Sequence, residues 1–195
     1  MHLQKKYHPI YQLPYCCVPA TLQWIFYRNN LNILDQEFIG AKLGLTLPEK
    51  GRKLFSHPKI IFTDIKPKTG YGTQIEKNKY SINNFFKKNK IPLKISELYI
   101  FKNTSQLKNF LINNFNNETD IIIRYHLKLF NGSDCGHFAI ITEFDTKKQT
   151  VVIGDPAMPF FQTVNMKDLI IAMSNKTDGI QRGLYLVKRI TKNKP

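Results

Sequence analysis

The chain has 195 residues, a net charge of +15, 42% apolar residues and 12% aromatic residues. That length supports one domain over 1–195 with a substantial buried core, and the composition excludes a mainly disordered protein. No run approaches the roughly 18 consecutive apolar residues of a membrane span, so no membrane-spanning role is expected. Met1-His2-Leu3-Gln4-Lys5-Lys6 is not followed by an apolar signal core, and a cytoplasmic location is the expectation. Three cysteines, two of them adjacent, make no disulfide framework, which fits a reducing compartment.

In chain order, residues 1–14 are polar and punctuated by Pro9 and Pro14, an extended lead-in. From Pro19, suited to a first helical position, Leu22, Ile25 and Phe26 recur at helical spacing until Asn29-Asn30. Asp35 is a good N-cap for a second helix through Phe38, Ile39 and Leu43, ending near Gly44. Residues 45–72 are rich in proline and glycine and read as a long loop with at most one strand, at Ile60-Ile61-Phe62. Thr73 and Glu76 form a capping-box pattern that would open a helix toward Lys88. Residues 91–101 alternate in part and make a strand, and Ser105 to Phe115 makes an amphipathic helix.

After Asn116-Asn117 the chain turns β-rich: Ile121 to Leu127, then Phe138 to Ile141, then Thr150 to Ile153. The last two strands, joined by the polar turn 145–149, would form an antiparallel hairpin. Met166 to Met173 reads as a short helix and Gly183 to Ile190 as a final strand. Helices mostly first and an antiparallel sheet second is the α+β pattern.

The charge would suit nucleic acid, an anionic surface or an acidic substrate. Its carriers, however, are scattered from Arg52-Lys53 through Lys66, Lys68 and Lys87-Lys88 to Lys188-Arg189. No helix-turn-helix, zinc-finger or aromatic-basic RNA-binding signature accompanies them, so no specific nucleic-acid partner is expected.

A thiol nucleophile must ionise near neutral pH, which a helix N-terminus and a neighbouring imidazolium both favour. It also needs free backbone N–H groups to hold an oxyanion, and a first helical turn has them. Cys17 lies just before Pro19-Ala20, the expected start of the first helix, and Gln12 just upstream carries an amide donor for the other half of an oxyanion hole. The hairpin brings His137 and Asp155, 18 residues apart, back toward each other. Cys16 and Cys17 are adjacent, and successive helical residues point about 100° apart, so only one faces His137; the helix start selects Cys17. Cys16, Cys17, Cys135 and His137 are a poor zinc set, because adjacent cysteines do not readily face one tetrahedral ion and Cys-x-His is not a usual spacing. Cys135 reads as a bystander and His126 as a strand residue. No cofactor or metal is expected.

Gln12 with Cys17-Val18-Pro19-Ala20-Thr21-Leu22 resembles the Gln…Cys-Gly-Pro-Ala…Leu signature of the double-glycine peptidases that process bacteriocin leaders. Gly136-His137-Phe138…Asp155-Pro156-Ala157 is similar to their His…Asp-Pro segment. The second half also looks like phytochelatin synthase, through Gly136-His137-Phe138, Asp155, Leu169-Ile170-Ile171-Ala172-Met173 and Arg182-Gly183-Leu184 in that order. The resemblance implies a papain-like cysteine peptidase fold with N-terminal helices packed on an antiparallel sheet. It implies Cys17 as nucleophile, His137 as base, Asp155 orienting the histidine and Gln12 in the oxyanion hole. The expected activity is a thiol-dependent amide hydrolase, first of all a peptidase, acting on a peptide or small peptide-like substrate. The alternatives are acyl transfer of the γ-glutamylcysteine kind and a catalytically silent basic binding module.

Overall fold

The computed structural model describes residues 2–157, 161–174 and 179–190. Along the chain come β1 (His2–Gln4), α1 (Cys17–Arg28), α2 (Gln36–Lys42), β2 (Thr46–Leu47), β3 (Ile61–Phe62), α3 (Ile82–Lys88) and β4 (Leu93–Ile95). There follow α4 (Thr104–Asn114), β5 (Thr119–His126), the one-turn α5 (Lys128–Asn131), β6 (Gly136–Asp145), β7 (Thr150–Gly154), β8 (Phe161–Asn165), α6 (Met166–Ser174) and β9 (Gly183–Arg189).

The sheet runs β4-β9-β5-β6-β7-β8, with β1 added on β6, and every pairing in it is antiparallel. Its central strands are buried on both faces. Ile121, Ile123, Tyr125, Ala139 and Ile141 pack with Leu107 and Leu111 of α4 and Leu169, Ala172 and Met173 of α6. Ile122, Phe138 and Ile140 turn the other way, onto Leu22, Ile25 and Phe26 of α1 and Phe85 and Phe86 of α3. Residues alternate faces along a strand, so a run such as Ile121-Ile122-Ile123 supplies both cores at once.

Side-chain caps start three of the helices. Asp35 Oδ1 accepts from the Glu37 and Phe38 amides at 2.8 and 3.0 Å. Ser81 Oγ accepts from Asn84 N at 3.3 Å, and Asn103 Oδ1 from Gln106 N at 2.9 Å. The expected helix from Thr73 is therefore corrected: it starts only after Ser81. Glu76 is taken by Arg124, and the Gln74 amide donates to the Gly70 and Gly72 carbonyls, both 3.2 Å, which holds this stretch as loop. Helix α1 starts at Cys17, two residues before the expected Pro19. Proline fits there because N–H groups of a first turn have no intrahelical partner to lose.

Three other stretches also differ from expectation. The strand expected at Ile60-Ile61-Phe62 is present at Ile61–Phe62, but it pairs in parallel with an unexpected strand at Thr46–Leu47, and a 3₁₀ segment at Glu49–Leu54 lies between them. The strand expected over 91–101 narrows to Leu93–Ile95 plus a bridge from Tyr99 to Leu184. The lead-in is not free coil. His2–Gln4 pairs with Glu143–Asp145, where β6 runs on past its pairing with β5, and Lys5 N donates to Thr142 O at 2.7 Å. Tyr7 Oη then donates to Asp120 Oδ1 at 2.5 Å; Arg28 and Asn29 reach the same carboxylate at 2.9 and 2.8 Å. One buried Asp120 thus ties the lead-in, the end of α1 and the start of β5. The edge strand Phe161–Asn165 is mostly exposed, which removes the alternating pattern that would mark it in the sequence.

No helix among the described residues is long and apolar enough to cross a membrane.

Candidate active site

The first turn of α1 lies against the head of β6. Thr21 Oγ1 donates to the Phe138 carbonyl at 3.3 Å, and Val18 packs in the same core as Phe138. This places Cys17 beside His137. Burial pushes the Cys17 thiol up, but the hydrogen bond from His137, that ring's positive charge and the Phe138 and Val18 amides together bring it below its ordinary value.

His137 is itself buried. Its Nε2 meets Asp155 Oδ1 at 2.7 Å, which leaves Nδ1 for the sulfur. Burial alone would lower the imidazole, yet the Asp155 and Cys17 hydrogen bonds and charges outweigh it and raise it to about 10. For Asp155 burial pushes upward, and the bonds from His137, Tyr125 and the Ala157 amide reverse it, leaving the carboxyl below its usual range. Strand register accounts for the meeting. Ile140 pairs with Gly154, so the residue after β7 returns to the level of the residues that open β6.

The two adjacent cysteines have opposite environments. Cys16 is fully buried with Leu45, Leu47 and Ile60, and burial pushes its thiol far up. Cys17 is half-buried and borders the cleft. Cys135 is exposed on the same cleft, its thiol raised by partial burial and by the neighbouring negative groups.

Gln12 also borders the cleft. Its backbone N–H donates to the Pro156 carbonyl at 3.0 Å, anchoring it beside the Asp155 segment. The side-chain Oε1 is buried without a hydrogen-bond partner among the described residues. Rotating the terminal amide by half a turn presents Nε2 at that position instead, since the two ends have nearly the same shape.

Tyr125 is a site residue that sequence reasoning passes over. It pairs with His137 across β5 and β6, sets its ring edge-on to the imidazole at 5.7 Å, and donates its hydroxyl to Asp155 Oδ2 at 2.5 Å. Both carboxylate oxygens are thereby held. The only sequence signal was a tyrosine in an isoleucine-rich strand, and its partner depends on a register that residue types do not specify. His126, at the end of β5, is buried on the cleft and faces Asp134 at 3.3 Å.

The cleft beside Cys17 holds about 520 Å3. The loop 66–75 lines it, as does the stretch from Asp134 to Phe138. Tyr15, in the left-handed region at φ 63°, turns the chain into Cys16 and meets the Tyr71 ring edge-on at 6.0 Å.

No family model matches the sequence, and no curated protein matches it either. Solved structures do: eleven chains match the fold. One is a Bacillus anthracis crystal structure described as a "putative C39-like peptidase", with a TM-score of 0.55 and 13% identity over 95% of this chain and 96% of that one. At that identity the likeness concerns the fold, which is the papain-like α+β arrangement. The likeness of the second half to phytochelatin synthase rests on the quoted residues alone.

Proposed function

We propose that this protein is a cysteine-nucleophile amide hydrolase, a peptidase in the first instance, with Cys17, His137 and Asp155 as its working groups. The observation that supports this most is the buried His137–Asp155 pair, 2.7 Å apart, next to a cleft-facing thiol at a helix start. The Cys17 thiolate would attack the scissile carbonyl carbon, forming the S–C bond. Negative charge develops on the carbonyl oxygen, where the Cys17 amide and the Gln12 side-chain amide are the available donors. His137, as imidazolium, gives its proton to the leaving amine as the C–N bond breaks. It then takes a proton from water, which attacks the thioester and releases the acid. Asp155 keeps the ring in one orientation and stabilises its charge, and no cofactor enters.

Brief alkylation at about pH 6, followed by peptide mapping, tests the assignment. Cys17 is expected to carry the label, while Cys16 stays unmodified because it is buried and un-ionised. Label chiefly on Cys16 moves the nucleophile by one residue; no label at all favours the silent binding module.

Tyr125 gives a second test. Tyr125→Phe is expected to lower kcat about tenfold with KM nearly unchanged, the size of one lost hydrogen bond to a charged group. In an Asp155→Ala background the same substitution should cost nothing further, because the hydroxyl then has no carboxylate to hold. Full additivity of the two losses would assign Tyr125 to packing alone.

A further inference from the structure

Outside the catalytic pair, the charges on the cleft are unequal. Lys66, Lys68 and Arg124 border it, while the carboxylate among its described lining residues is Asp134, already engaged by His126. Arg124 is also committed: it pairs with Glu76 and lies over the Phe138 ring, 5.3 Å from the centroid. Lys66 and Lys68 differ. Both are exposed on the loop wall, and neither has an ion-pair partner among the described residues. The Lys66 charge pulls down the thiol of Cys135, two residues before His137 on the same cleft, against the burial and negative charges that raise it. The loop is held in place, since Thr46 and Gly72 exchange backbone hydrogen bonds at 3.0 and 2.9 Å and the Gln74 side chain closes the turn between.

Resting on the hydrolase reading above, we propose that the substrate carries a carboxylate next to the scissile bond, received by Lys66 and Lys68 on the loop wall. Two exposed ammonium groups with no ion-pair partner among the described residues attract an anion to the cleft they border. The thiolate, the imidazolium and the ionised Asp155 together carry one net negative charge, so Lys66 and Lys68 supply the positive charge that an anionic substrate group meets on this cleft. The carboxylate has two possible sources in a peptide, an acidic side chain or a free C-terminus.

The test compares alkylation of Cys17 by anionic iodoacetate and neutral iodoacetamide, in the unmodified protein and in a K66Q/K68Q variant. The iodoacetate-to-iodoacetamide rate ratio is expected to fall about threefold or more in the variant at low ionic strength. The two proteins should converge in about 0.5 M salt, where the screening length is only a few ångströms. A ratio unchanged by the substitutions, with Cys17 reactive to both reagents, overturns the carboxylate assignment and leaves the nucleophile standing. Failure of Cys17 to react with either reagent overturns the nucleophile and this proposal with it. Protection of Cys17 from iodoacetamide by Ac-Ala-Ala-Glu-Ala-Ala-NH2 assigns the carboxylate to a side chain. Protection by Ac-Ala-Ala-Gln-Ala-Ala with a free C-terminus assigns it to the α-carboxylate. Equal effects of both and of the neutral glutamine amide overturn it.

Discussion

His137→Ala should remove the low-pH reactivity of Cys17. Burial works against the thiolate, and the imidazolium supplies the largest opposing contributions, a hydrogen bond and a full positive charge. Without that ring, only the Phe138 and Val18 amides oppose burial, and the thiol pKa should rise. Alkylation at about pH 6 should then fall by at least tenfold, since each unit of pKa changes the thiolate fraction tenfold below the midpoint. Turnover should fall by about 10²–10⁴, the range of a lost general acid–base. A variant still labelled rapidly at pH 6 would show that His137 does not ionise Cys17. The same pair sets a stability window. Folding raises His137 from 6.5 to about 10, so its contribution is complete below pH 6.5 and is lost as pH rises through about 10. Asp155 is lowered, so its contribution is present above the ordinary carboxylate range and is lost as pH falls through its depressed value.

Gly183→Ala is expected to be severely destabilising, although the change adds one methyl group. A Cβ there would lie 2.0 Å from the Tyr99 carbonyl oxygen and 3.0 Å from its carbon, both backbone atoms that have no rotamer to escape into. Tyr99 cannot retreat without loosening the bridge in which its amide donates to Leu184 O at 2.8 Å and the Leu184 amide donates back at 3.0 Å. Overpacking plus weakened bridge bonds should cost about 2–4 kcal/mol. For a chain of this size that lowers Tm by roughly 5–15 °C. A thermal melt within about 2 °C of the parent would mean that the segment carrying Tyr99 moves freely. The effect should extend to the site, because Arg182, the preceding residue, packs against Gly136 at the head of the histidine strand.

Local chemistry alone marks much of the architecture. Asp35 caps α2 as its residue type suggests, because the capping bond is made within three residues. The β6–β7 hairpin follows from two apolar runs and a polar turn, and α4 and α6 from apolar spacing. Where a side chain has a choice of partners, the local signal fails. Glu76 has the right spacing to close a capping box on Thr73, but Arg124, 48 residues away, holds it instead. β1 has no alternation to read, since it exists only because β6 outruns β5 and leaves an edge to fill.

Local pattern is enough for the α+β class and for the order in which a thiol, an imidazole and a carboxylate occur, because periodicity, caps and residue types are local properties. It also marked Cys17 over Cys16, since the choice follows from position at a helix start. Long-range pairing is what joins Ile140 to Gly154 and so returns Asp155 to His137. It also puts Tyr125 on the second carboxylate oxygen and brings Lys66, Lys68 and Cys135 to one cleft. These are contacts between residues far apart in the chain. Strand register and loop path fix them, and a one-residue slip in strand register would send Tyr125 and His137 to the opposite face of the sheet.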